Sequence, residues 1–150
     1  MTVNPFNRYK QQYLTNPVRI FFSDRVGMPF YDEMIANPLY YKRTRGLTYK
    51  IEYMSPLEYL RRIARIHTKR VYGMELPATL EDEIQVAKHN REIINQLKQL
   101  MLSGIPIDML VLDYARNTQE GRHRAYAVYE INKETGSNNQ VKVMVVTSSG

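Results

Sequence analysis

Two short apolar runs constrain this chain more than any other feature: Ile107-Asp108-Met109-Leu110-Val111-Leu112 and Val141-Lys142-Val143-Met144-Val145-Val146. Both have strand length and aliphatic side chains suited to a buried sheet. A stretch with helical character, Ala125 to Asn132, lies between them. Strand, helix and strand in that order require a sheet with a helix packed on it. After the first run the chain turns at Asp113-Tyr114-Ala115-Arg116-Asn117, returns through Thr118-Gln119-Glu120 and reaches Gly121. Glycine suits a tight strand-to-helix turn, because it tolerates positive φ and lets a ligand come close to the backbone.

The residues after Gly121 are unusual for a helix start. The first turn of a helix has unpaired N–H groups and the positive end of the dipole, and Asp or Glu is the usual company. Here Arg122, His123 and Arg124 crowd that end. Cations stacked there are unfavourable unless an anion joins them, so the pattern predicts a phosphate cradle. An exposed, solvated helix start would carry the same residues. Glu120 either neutralises part of the field or helps hold a divalent ion beside a bound phosphate.

Gln119-Glu120-Gly121-Arg122-His123-Arg124-Ala125-Tyr126-Ala127 resembles the phosphate-binding box of the ParB/sulfiredoxin-like superfamily. Gly121, Arg124 and Ala127 match the Gly-Glu-Arg-Arg-x-Arg-Ala pattern of its ParB branch; Gly121, His123 and Arg124 match the Gly-Cys-His-Arg of its sulfiredoxin branch. The likeness spans roughly residues 105–147. It implies an α+β fold, a small mixed sheet packed by helices, in a single-domain member. It also implies nuclease, nucleotide hydrolase or phosphotransfer activity, with Mg2+ and ATP or CTP as cofactors. Arg124 would then clamp phosphate through two hydrogen bonds, as Arg does better than Lys. Arg122 would add charge at the developing negative centre. His123 would hydrogen-bond a phosphate oxygen or shuttle a proton. Glu120 would bind metal or activate water, which makes His123 and Glu120 the catalytic candidates. Gly121, Arg122, His123 and Arg124 form the phosphate-binding set.

There are departures as well. Arg122 stands where sulfiredoxin has its reactive cysteine, and Tyr126 replaces the last ParB arginine. A second ParB phosphate motif is missing, and no DNA-reading helix-turn-helix follows the box. A second class of function therefore stays open: a non-catalytic DNA- or protein-binding or assembly protein that keeps the fold.

Composition narrows the classes further. At 150 residues with a 43% apolar fraction, the chain is expected to fold as one domain with a real core. The absence of cysteine excludes a disulfide framework and Cys-ligated zinc. His67, His89 and His123 lie 22 and 34 residues apart, a spacing that offers no local zinc site. There is no P-loop and no Gly-x-Gly-x-x-Gly. No signal-peptide core is present and no apolar run approaches ~18 residues, so a cytoplasmic protein without a membrane span is expected.

The net charge of +6 is concentrated: residues 42–70 hold nine Lys or Arg against Glu52 and Glu58. A field of this kind attracts nucleic acid or a multiply charged phosphate ligand. Ser55-Pro56-Leu57-Glu58 opens a helix with a capping box. Arg61, Arg62 and Arg65 share its polar face, and with Lys69 they are the candidate nucleic-acid-binding set. Leu57, Leu60, Ile63, Ala64 and His67 share the opposite face, which makes His67 a core histidine. Tyr40, Tyr41 and Tyr49 are either stacking residues or core; Tyr53 and Tyr59 are expected in the core.

Residues 1–38 contain three Asn-Pro pairs and read as a partly irregular N-terminal arm, with the domain proper at 39–150. Val18 to Phe22 is a candidate strand and Pro29 to Ala36 a short helix. The arm is expected to pack on its own domain, on a protein partner or on a second copy. Ile51 to Tyr53 reads as a short extended piece, and Gly73 and Pro77 as a connection. Thr79 caps a helix expected to run unbroken to Leu102, with Leu80, Ile84, Ala87, Ile94, Leu97 and Met101 inward. His89 falls on its solvated side.

Overall fold

The computed structural model describes residues 28–148. The expectations for the first 27 residues, including the Val18–Phe22 strand and the arm's partner, lie outside the described residues.

The described chain is an α+β structure built on a four-stranded mixed sheet. Helices α1 (Met28–Ala36) and α2 (Pro38–Arg45) lead into β1 (Leu47–Met54), followed by α3 (Pro56–Ile66). A hairpin of β2 (Thr68–Val71) and β3 (Met74–Pro77) precedes α4 (Leu80–His89) and α5 (Arg91–Leu102). The chain then forms β4 (Leu110–Asp113), β5 (Thr118–Glu120), α6 (Arg122–Thr135) and β6 (Val141–Ser148). The strand order is β1-β6-β4-β5, with β6 parallel to β4 and both outer strands antiparallel to their neighbours.

Period-two alternation in β4 and β6 supplies both faces of the sheet. Leu110, Leu112, Val141, Val143 and Val145 join a core with Tyr59, Leu60 and Ile63 of α3, Ala87 of α4, Ile94 and Leu97 of α5, and Ala125 and Val128 of α6. Val111, Met144 and Val146 join a second core with Met28, Tyr31 and Met34 of α1 and Tyr41 of α2. Residues 28–36, read from sequence as part of the arm, thus cover one face of the sheet. A polar clasp fastens them there. The Tyr31 hydroxyl donates to Asp113 (2.8 Å), and Arg116 reaches both Asp113 (2.9 Å) and Tyr31 (2.8 Å). The Arg116 guanidinium lies 4.0 Å from the centre of the Phe30 ring. Burial, reinforced by the Asp113 carboxylate, pushes the Tyr31 phenol well above its ordinary range.

Several sequence expectations change in the folded chain. The long helix breaks at Asn90 (φ −102°, ψ 56°), giving α4 and α5. Asn90 turns its side chain to His123 instead of continuing the helix, the competition that makes Asn a poor interior helix residue. The first apolar run enters the sheet only at Leu110, because side chains take the Met109 peptide groups: Asp108 accepts its N–H (2.8 Å) and Arg124 donates to its carbonyl (2.9 Å). Tyr53 is not in the core but 64% exposed, on edge strand β1 toward the end away from α1 and α2. The stretch around Ile51 extends to eight residues. The connection around Gly73 is a β-hairpin. Both helix starts form where expected, but the box expected at Ser55 is only half made. Ser55 accepts the Glu58 N–H (3.1 Å), while the Glu58 carboxylate turns to Arg61 and Arg62. It is Thr79 and Asp82 that close a full capping box.

A charge clasp holds α5 to α6. Arg91 donates twice to Glu130 (2.7 Å each), and Lys98 reaches both Glu130 and Glu134. The paired bonds from Arg91, with help from Lys98 and against the effect of burial, pull the Glu130 carboxyl down to about 2. A depressed folded pKa stabilises above the unfolded value and loses that contribution as pH falls toward the folded one. Between pH 4.5 and 2 the parent is therefore expected to lose on the order of 2 kcal/mol more than Glu130→Gln. Thermal melts across that range check it; equal acid losses in both proteins would refute it.

Candidate functional site

The strand-to-helix turn is set by packing. Gly121 has φ +125°, and a Cβ there would lie 2.5 Å from Leu110 Cγ and 3.0 Å from Leu110 Cβ. Leu110, the first residue of β4, occupies the space that a side chain at 121 would need. Tyr59 braces the turn from α3: its hydroxyl is 2.8 Å from the Val111 carbonyl, 2.9 Å from the Glu120 carbonyl and 3.2 Å from Gln119 Oε1. Gln119 Oε1 also accepts the Arg122 N–H (3.2 Å), which satisfies one of the helix-start donors from within the chain.

The three cationic or titratable residues behind the glycine diverge. Arg124 is fully buried, and its guanidinium donates to the Met109 carbonyl. His123 is buried too, with Nε2 2.8 Å from the Asn90 amide nitrogen. Arg122 extends toward α4, where its Nε donates to Glu83 Oε2 (2.8 Å). The other Glu83 oxygen lies 2.6 Å from His67 Nδ1, and Arg122 Nη2 is 3.1 Å from that same nitrogen. So short a contact with a carboxylate assigns the ring proton to Nδ1. Burial pushes the Glu83 carboxyl up, but the His67 hydrogen bond and the Arg122 charge outweigh it and hold the group below the ordinary Glu range.

The result is a compact charge cluster at the positive end of α6. Glu83 is 2% exposed, whereas the Arg122 and His67 side chains keep 18% and 26% of their surface in solvent. Sequence reasoning missed Glu83 and Asn90 and placed His67 in the core. One local signal was available for Glu83: it lies three residues after Leu80 and four before Ala87, a carboxylate on the inward side of an apolar helix face.

The other candidates are dispersed. Arg61 and Arg62 both pair with Glu58 (3.2 and 2.8 Å), and Arg62 also meets Glu52 of β1 (3.6 Å). Lys69 pairs with Asp82 (2.9 Å), while Arg65 is exposed. Part of the positive charge of 42–70 is therefore met by acids from β1, α3 and α4, while Arg65 and Arg70 stay exposed. Glu120 is half-buried at the end of β5, opposite Val111. Among the described residues no group of three or more His, Asp or Glu side chains is placed to hold a metal ion. Nor is any described helix long and apolar enough to cross a membrane. Compared with family models, curated proteins and solved structures, the chain matches none.

Proposed function

We propose that this chain binds a phosphate-bearing ligand, a nucleotide or nucleic acid, at the start of α6, in a domain of ParB/sulfiredoxin-like type. The observation that carries the reading is the cluster itself. One buried carboxylate, Glu83, faces a guanidinium and an imidazole at the positive end of a helix, and both keep an exposed edge. A single negative charge leaves the corner positive once the dipole is added. A phosphate oxygen accepting from Arg122 would complete the balance.

The roles differ from those the box alone implies. Arg122 contacts the ligand, with Glu83 holding the guanidinium in place, and His67 sits beside it. Arg124 and His123 brace the corner from inside. Mg2+ arrives with ATP or CTP in this reading, and Glu120 is the carboxylate proposed to meet it. A second reading, non-catalytic binding or assembly, is favoured by the complete burial of Arg124, which ties the best-matched box residue to the scaffold.

Binding and turnover of labelled ATP, CTP and single-stranded DNA, with and without magnesium, test both readings. The parent is expected to bind at low salt and weaken as salt rises. Arg122→Gln should bind at least ~10-fold more weakly, as expected for loss of a charge-assisted contact. Arg122→Lys, which keeps the charge facing Glu83, should fall between them, with circular dichroism confirming the fold of each. Binding equal to the parent in Arg122→Gln, or no binding by the parent, overturns the phosphate site. Binding without turnover selects the second reading.

A further inference from the structure

The β2–β3 hairpin grows out of this same corner. His67 ends α3 immediately before Thr68, and the Ala78 N–H donates to the His67 carbonyl (3.0 Å), closing the base of the ribbon. Thr79 then caps α4, the helix that delivers Glu83. Pairing from Thr68↔Pro77 to Val71↔Met74 leaves Tyr72-Gly73 as a two-residue turn. Both turn residues have positive φ, +52° for Tyr72 and +77° for Gly73. Primed turns of this kind favour Asn, Asp or Gly at such positions, and a bulky residue there is strained.

Tyr72 is nevertheless 96% exposed. An aromatic ring on strained backbone, packed on almost nothing, contributes nothing to folding that Asn would not supply better. Strain of this sort points toward function. The chemistry nearby narrows the partner. Arg70 on β2 is an exposed cation of the ribbon, Arg65 near the end of α3 is exposed as well, and the ring is of the kind on which bases stack. Addition of a second copy along β3 is poorly served: the strand has four residues and ends in Pro77, which lacks an N–H to pair.

We infer that Tyr72 is a base-stacking platform for single-stranded nucleic acid whose backbone runs along the ribbon toward Arg122 and His67. The inference rests on the phosphate reading of that corner and extends it from a nucleotide to a strand. A four-residue strand rises about 13 Å, so a phosphate at the corner and a base on the ring belong to different nucleotides. A mononucleotide does not reach both.

The test uses the full chain and a fluorescein-labelled twelve-nucleotide oligo-dT, followed by anisotropy, with CTP binding measured in parallel. Tyr72→Asn is expected to melt no lower than the parent, because Asn suits the turn, yet to bind the oligonucleotide about 5- to 100-fold more weakly. Tyr72→Trp should retain binding. CTP affinity should be the same in all three proteins. The slope of oligonucleotide affinity against salt should be unchanged in Tyr72→Asn and shallower in Arg70→Ala. Parent-like oligonucleotide binding by Tyr72→Asn, or no oligonucleotide binding by the parent, overturns the inference. So does a parent dimer that Tyr72→Asn abolishes in sedimentation, which would assign the ring to a second copy. If CTP fails to bind while oligonucleotide binding depends on Tyr72, the corner loses its phosphate and the platform stands. If CTP binds and the oligonucleotide is indifferent to Tyr72, the platform falls alone.

Discussion

Glu83→Ala is expected to destabilise the chain by about 2–4 kcal/mol, under the ~3–5 kcal/mol of a fully buried pair because the Arg122 and His67 side chains keep 18% and 26% of their surface in solvent. The substitution takes away the acceptor for Arg122 Nε and for His67 Nδ1 together, leaving a guanidinium and an imidazole facing each other 3.1 Å apart. It also opens space beside the α3–α4 contact. Glu83→Gln keeps the shape and loses the charge, so it should fall between the parent and Glu83→Ala. The pH dependence has a definite sign. The folded carboxyl titrates below its unfolded value, so its contribution is present above the ordinary Glu range and disappears as pH falls through the folded pKa. Denaturant unfolding at neutral pH and in acid measures both effects. The gap between parent and Glu83→Gln should narrow in acid; a gap that widens, or a Glu83→Ala loss under ~1 kcal/mol, would show that the cluster does not hold the corner together.

Gly121→Ala is the second large effect, expected at about 2–5 kcal/mol from two sources of ~1–3 kcal/mol each, backbone strain and overpacking. At φ +125° an L side chain is disfavoured wherever it points, and here the new methyl group would also lie 2.5 Å from Leu110 Cγ. The sources separate in a second background. In Leu110→Ala the clash is relieved but the dihedral is not, so Gly121→Ala should cost less there and still cost something. A Gly121→Ala protein as stable as the parent in thermal melts would mean that the turn is rebuilt, and with it the position of α6.

What sequence reasoning could see here was whatever depends on neighbours in the chain. The two apolar runs do form the parallel pair β4 and β6, and Ser55 and Thr79 do start helices, because strand composition and capping are local matters. The break at Asn90 was hidden, since the residue that engages its side chain is His123, 33 positions away. The crowding of cations at α6 pointed to a missing anion. An anion is indeed present beside Arg122, but it is Glu83, 39 residues earlier. Arg124 reads from the box as a phosphate clamp; its interior place follows from how α6 lies against the lead into β4. The pairing of Arg62 with Glu52 joins α3 to β1 and cannot be read from helical spacing. In each case the deciding partner came from tertiary structure.

The grip on Met109 bears on how the sheet finds its alignment. With the amide held by Asp108 and the carbonyl by Arg124, the residue just ahead of β4 is pinned to the first turn of α6. Sliding β4 by a single position would swap its two sets of side chains between the cores and break the Arg124 tether. The helix entrance thus works as a stop against mispairing, so that β4 has one seat beside β6, and weakening that stop should show first as heterogeneous strand pairing during refolding.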